Sequence, residues 1–146
     1  MSTTDSYPFD VDAYLAAPRV ARVATAGPLV RPVWFLWEDA TFWWITGSYA
    51  RLPELLAEDP RVALVVDTCD LHTLEVRQVT ARGNAEVVPF DPARAERKLT
   101  RYLGPDQRIW PQDFRNFGPD TRFVRLVPTS LSARDLSKTW STLTGT

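Results

Sequence analysis

The stretch Arg31-Pro-Val-Trp-Phe, continued through Glu38-Asp39-Ala40 into Thr41-Phe-Trp-Trp-Ile-Thr-Gly-Ser-Tyr-Ala-Arg51, decides the fold. Its two segments, Val30 to Trp37 and Thr41 to Thr46, are almost wholly apolar and rich in aromatic and β-branched residues, and the short polar link between them reads as a hairpin. A strand apolar on both faces is covered on both. In a chain of 146 residues the second cover is expected to be a partner subunit or a ligand. Polar residues at the ends of such strands do nothing for strand stability and are candidates for holding that ligand. They are Arg31, the run Thr46-Gly-Ser-Tyr-Ala-Arg51, and further on Arg77-Gln-Val79, with Gly83 four residues later.

Outward from this stretch the pattern is mostly strand with helices between. Val11 to Ala17 is a short helix, with Asp10 as N-cap and Pro18 as stop. Arg19 to Thr25 is a first strand, broken by Ala26-Gly27-Pro28. After Arg51, Leu52, Leu55 and Leu56 recur at helical spacing, and Pro53 is tolerated only in a first turn, so a helix starts near Arg51 and ends before Pro60. Val62 to Val66 reads as a central strand, Thr68 to Thr73 as a polar loop, and Leu74 to Val88 as a long strand in which Gly83 marks a bulge or sharp coil. The helix from Asp91 to Leu103 is the clearest element. Asp91 caps it, Pro92 opens it, Gly104 ends it, and Ala95, Leu99, Tyr102 and Leu103 form its apolar stripe. Its polar face, Arg94, Arg97, Lys98 and Arg101, is either solvated or an anion or partner contact. A last strand, Arg122 to Val127, leads to a polar tail from Pro128. The expected order is about six strands, with one helix between the third and fourth and another between the fifth and sixth.

Composition narrows the function. A chain of this length is expected to be one domain burying roughly 70% of its unfolded surface. A net charge of −1 recruits neither nucleic acid nor anionic membrane. The single cysteine, Cys69, excludes an internal disulfide framework and suits a reducing compartment. No apolar run approaches the ~20 residues of a membrane helix, and the polar start, Met1 to Asp10, lacks a leader's basic and apolar regions. A cytoplasmic protein is expected.

Several chemistries lack their residues. Cys69-x-x-His72 has a metal-like spacing, but a site needs three or four ligands and no second Cys/His pair exists. With one histidine and no Gly-x-Ser-x-Gly elbow a Ser-His-Asp hydrolase has no foundation, and the six scattered glycines form no phosphate loop of the dinucleotide or Walker type. Trp34, Trp37, Trp43 and Trp44 are explained by core or dimer packing, or else by stacking on a flat cofactor. The run Thr46 to Arg51 could converge two hydroxyls, backbone N–H groups freed by Gly47, a helix N-terminus and a guanidinium on one anion. Alternatively, Ser48 is a turn residue and Arg51 a surface charge.

Together and in this order the fragments resemble the pyridoxamine-phosphate-oxidase-like split β-barrel family, which includes FMN enzymes and deazaflavin-dependent reductases. In that family an Arg-x-Val segment lies along the flavin ring, a Tyr-Thr-Asn segment ends the next strand, a Ser-Arg-Lys segment meets the phosphate at a helix start, and Arg-Gln-Val reaches a cofactor from a later strand. Arg31 and Val33 match the first, Thr46 the second and Arg51 the third, and Arg77-Gln78-Val79 matches the fourth in full. Asp59-Pro60-Arg61-Val62 and Gly83-x-Ala85-Glu86 are also family-like, so the resemblance runs from about Val20 to Val88, with looser support to Trp110. Three departures stand out. Leu52 occupies the place of the phosphate lysine, Leu36 that of a frequent basic residue, and the Arg-x-His signature of the vitamin B6 enzyme is missing from Val127 to Thr146.

The resemblance implies a mainly β chain with inserted helices, a six-stranded split β-barrel of the FMN-binding type spanning residues 1–146, with an N-terminal segment 1–18 and a polar C-terminal tail 129–146. It implies a homodimer with FMN, or alternatively the deazaflavin coenzyme F420, at the subunit interface, and hydride transfer to or from a small organic molecule. Arg31, Val33 and Trp34 are expected along the ring, Thr46, Gly47, Ser48 and Arg51 at the ribityl-phosphate end, and Gln78 across the dimer. A flavin carrier or redox sensor without turnover, or a barrel that has lost its cofactor, are the alternatives.

Overall fold

The computed structural model of the protein describes residues 7–137. Eight strands form one curled antiparallel sheet: β1 (Val20–Thr25), β2 (Leu29–Trp34), β3 (Leu36–Glu38), β4 (Thr41–Thr46), β5 (Arg61–Asp70), β6 (Glu75–Pro89), β7 (Arg122–Leu126) and β8 (Ser130–Asp135). Their order is β2-β1-β5-β6-β7-β4-β3, and β8 adds to the first half of β6. Helices α1 (Val11–Ala16), α2 (Leu52–Glu58) and α3 (Pro92–Leu103) are set between them. This is a split barrel of the expected class, with eight strands where six were expected. Among the described residues no helix is long and apolar enough to cross a membrane.

One extra strand comes from the split of Val30 to Trp37 at Phe35. The Phe35 side chain is 1% exposed. Its N–H leaves the ladder to donate to the Tyr102 hydroxyl of α3 at 3.0 Å, and that hydroxyl lies 2.7 Å from the Arg19 carbonyl. The first half of the segment therefore pairs with β1, and the second half makes the hairpin with β4. That hairpin turns through Asp39 and Ala40, both at positive φ, the geometry that matches the twist of paired strands. The other extra strand, β8, lies in the expected polar tail. Its Leu131 and Ala133 pack on the core while Ser130, Ser132 and Arg134 are exposed. Residues 138–146 of that tail lie outside the described residues.

The expectation that β4 needs a partner or ligand on its second face is corrected. Phe42 and Trp44 enter the main core on one side, and on the other Trp43 packs with Leu36, Ala95 and Phe123 beneath α3. The chain covers both faces itself except at Ile45, on the Trp43 face, which lines the cleft described below. Helix α3 is held there by its arginines: Arg94 and Arg97 both bond Glu38, at 2.9 and 2.8 Å, and the Arg94 guanidinium lies 3.6 Å from the Trp43 ring centroid. The Arg97 hydrogen bond, more than any other contact, lowers the Glu38 carboxyl from its ordinary value. Arg94 is thus held internally, while Arg97 bonds Glu38 from the solvated side of the helix.

Gly83 is not a bulge. The β5–β6 register runs through it without a slip, Val62 opposite Gly83 and Ala63 opposite Arg82. A Cβ there would stand 2.9 Å from the Val127 carbonyl oxygen. Glycine is required because the β7–β8 connection crosses β6 at this point, with the Thr129 N–H bonded to the Arg82 carbonyl at 2.8 Å.

Candidate functional site

A cleft of about 660 Å³ opens where the end of β2, the end of β4, α3 and the loop before β7 meet. This is an ordinary size for a small-molecule or cofactor site. Val33 and Trp34 form one wall, Ile45 and Tyr49 another, and Phe114 and Phe117 of the loop a third, with Lys98, Asp113 and Asp120 as charged members. Trp34 stacks on Tyr102 at 4.6 Å with planes 4° apart, and on Phe114 at 5.6 Å. The ring is therefore fixed by its own chain, and it offers the cleft a rigid aromatic boundary.

The expected site residues divide. Val33 and Trp34 line the cleft, and Thr46-Gly47-Ser48 is the turn that delivers Tyr49 to it. Arg31 shares the core-side face of β2 with Val33, opposite Trp34, in a row with Val23, Leu64 and Ala81, all buried, and is not a lining residue of the cleft. Arg51 is exposed at the N-cap of α2, where it makes no side-chain cap bond, and is not a lining residue. Gln78 stands in β6 opposite Asp67 and Arg134, away from the cleft. Its neighbour Arg77 is used internally, 3.3 Å from Asp135 and over the Phe9 ring. Leu52 is 2% exposed and belongs to the main core. A phosphate lysine at that position would have to come out of the core.

Among the cleft residues that the sequence did not single out as site residues, Lys98, Asp120 and Phe114 shape it most. Lys98 reads in the sequence as part of a polar face of α3, solvated or in an anion or partner contact, but it is 5% exposed. It sits three residues after Ala95 and next to Leu99, inside the helix's buried stripe, and that spacing was the available signal. Burial lowers its ammonium from 10.5 to about 8. Asp120 accepts a hydrogen bond from the Ser48 hydroxyl, which more than any other contact lowers its carboxyl below the ordinary value; the Ser48 backbone N–H contributes in the same direction. Phe114, the third, stacks on Trp34 from a loop with no strand or helix pattern to locate it.

Five buried side-chain atoms among the described residues lack a hydrogen-bond partner, Thr25 Oγ1, Arg31 Nε, Trp43 Nε1, Trp44 Nε1 and Thr46 Oγ1. Two belong to residues expected at a flavin. Unpaired buried polar atoms are rare and call for an acceptor or donor from elsewhere. The flat aromatic cleft fits a flavin-type ring, while neither Arg31 nor Thr46 is among its lining residues. The phosphate end fits less directly, because an internal carboxylate already holds the Ser48 donors.

The model of the pyridoxamine 5'-phosphate oxidase family matches residues 10–132. The chain belongs to that family. Solved structures share the fold of this pyridoxamine 5'-phosphate oxidase family member at low identity. A conserved hypothetical protein of Mycobacterium tuberculosis, Rv2991, is 21% identical over 92% of this chain and 85% of its own, with a TM-score of 0.69. A structure described as an F420 reductase is 24% identical, covering 86% of this chain and 98% of its own, with a TM-score of 0.65. An FAD-binding protein of Mesorhizobium loti is 20% identical over 92% and 95%, with a TM-score of 0.61. No curated protein gives a significant match.

Proposed function

We propose that this family member binds a flavin-type cofactor, FMN or F420, in the Trp34 cleft and serves hydride transfer to or from a small organic molecule. The cleft itself carries the reading: the residues after Arg31 and those after Thr46, two of the family-like segments, meet there around a space walled by aromatic side chains. Names of structural relatives, an F420 reductase and an FAD-binding protein, support a flavin-type ligand and leave its identity open. The absence of Arg-x-His from Val127 to Thr146 separates the chain from pyridoxamine phosphate oxidase proper.

The bound ring supplies the redox chemistry. The chain's own residues position it and keep water away: Trp34, Phe114 and Phe117 as flat walls, and Ile45 and Val33 as apolar packing. Gln78 can serve this cleft only from a second copy of the chain. The proposed homodimer rests on the exposed apolar residues Val20, Leu29 and Val30 on and beside the edge strand β2, with Val30 70% exposed, and sedimentation at micromolar concentration checks it. The cytoplasm is the proposed location, where an exposed, unpaired Cys69 stays reduced.

A second reading, a barrel without cofactor, is favoured by the Asp120 carboxylate on Ser48. The two are separated by titrating FMN and riboflavin into wild type and Asp120→Asn, then adding NADPH or reduced F420. Under the proposal FMN binds, its visible band bleaches on reduction, and Asp120→Asn tightens FMN roughly tenfold by removing a like charge, while riboflavin is unaffected. A protein that binds neither flavin nor F420 in either form is the empty barrel; one that binds but is never reduced is the carrier.

A further inference from the structure

Lys98 is the one charged side chain that the fold buries among the described residues, and no described residue gives it a hydrogen bond or an ion pair. It reaches from α3 into the cleft beside Trp34, Ile45, Phe114 and Phe117. One turn earlier on the same helix Arg94 is satisfied by Glu38 at 2.9 Å. The Lys98 Nζ is not among the wholly buried unpartnered atoms, so the stem is buried while the ammonium opens onto the cleft, where a counter-charge would relieve the cost of the burial. The cleft's two carboxylates do not relieve it, since Asp120 is bonded to Ser48 and both it and Asp113 are exposed. Burial alone depresses the ammonium to about 8, which leaves it mostly charged at neutral pH.

We propose that Lys98 anchors a carboxylate of the small-molecule substrate, which makes that substrate a flat aromatic or conjugated acid. The cofactor's place beside it rests on the function proposed above. A phosphate is the poorer occupant. A dianion with three acceptor oxygens wants several donors, and the cleft lining offers one ammonium together with two carboxylates. Lysine's compact point charge suits a single anionic group, and the aromatic walls suit the flat remainder. Discrimination follows from the partial burial, because a neutral analogue would leave the ammonium without a partner beside the aromatic walls.

Benzoate and benzamide have nearly the same shape and differ in charge. Both are titrated into the purified full-length protein, as isolated and after saturation with FMN, with tryptophan fluorescence as the readout. Benzoate is expected to bind roughly tenfold more tightly, in line with a hydrogen bond to a charged group. In Lys98→Met and in Lys98→Gln that preference disappears, while the FMN affinity and a cooperative thermal melt are retained. Equal binding of the two probes to wild type, or a benzoate preference surviving in both variants, overturns the proposal. So does a Lys98→Met protein that loses affinity for FMN and keeps it for riboflavin, which assigns the lysine to the cofactor phosphate. A wild type that prefers benzoate yet binds no flavin or F420 contradicts the proposed function and leaves the carboxylate site standing.

Discussion

Lys98→Met is expected to make the protein more stable at pH 7 and to remove most of the rise in stability between pH 8 and 10. The folded chain holds the ammonium at about 8, against 10.5 for the free side chain, through burial alone. Between those values the unfolded chain carries a proton that the native chain has released, so wild-type stability climbs with pH across this window and is flat below it. One pKa unit corresponds to about 1.4 kcal/mol, so the shift amounts to about 3 kcal/mol in all. Methionine fills a similar volume without a charge, and relief of the penalty at neutral pH should be of that order. Tyr14, Tyr49 and Tyr102, whose hydroxyls are all raised by burial first, titrate above 10 and act in the opposite direction, so the window is read below it. Urea unfolding of both proteins at pH 7 and 9.5 measures the effect. Parallel pH profiles would mean that the native amine finds a partner.

Phe123→Ala is expected to cost about 3–5 kcal/mol, the range for truncating a buried aromatic residue. Phe123 is fully buried, 5.5 Å from Phe90 with near-parallel rings and edge-on to Trp43 at 6.3 Å. It joins α3 to β4 and supports Phe117, a wall of the cleft, through Phe90. Its loss should therefore weaken ligand binding along with stability. Arg108→Ala provides the contrast. Its ion pair with Asp106 is short, at 2.9 Å, but the arginine side chain is 90% exposed, and exposed pairs contribute about 0–1 kcal/mol. Denaturant midpoints for the two variants check the difference; equal shifts would mean that the small cluster under α3 is not what holds the helix.

Helix α3 could be read from its ends, because Asp91, Pro92 and Gly104 act locally: the Asp91 carboxylate accepts from the Ala93 and Arg94 N–H groups, and Gly104 has φ 88°. Strand identities followed from apolar runs. The break at Phe35 had no local signal, since Trp34-Phe-Leu36 contains neither glycine nor proline, and a hydroxyl 67 residues away makes it. Lys98 was misplaced by its charge, although its spacing from Ala95 put it on the buried stripe. The tail strand β8 alternates correctly but carries only Leu131 and Ala133 on its inner face, too little apolar weight to stand out from a polar segment. Ser48 was legible as a polar residue at a strand end; its partner Asp120, 72 residues away, was not. Gln78 illustrates a different limit: it lies away from its own chain's cleft, and the role across a dimer proposed for it cannot be read from the geometry of one chain.

The central claim is that the cleft bounded by Trp34 holds a flavin-type ring, and a fluorescence titration of FMN and F420 into wild type and Trp34→Ala tests it most directly. Contact with aromatic side chains quenches flavin emission and contributes about 1 kcal/mol beyond buried area, and Trp34, itself stacked on Tyr102 and Phe114, bounds the cleft and holds Phe114 in its wall. The prediction is saturable, stoichiometric quenching of one of the two ligands by wild type, with affinity roughly tenfold or more lower in Trp34→Ala, where Tyr102 and Phe114 also lose their stacking partner. No quenching of either ligand at micromolar protein, or identical curves for the two proteins, would contradict it.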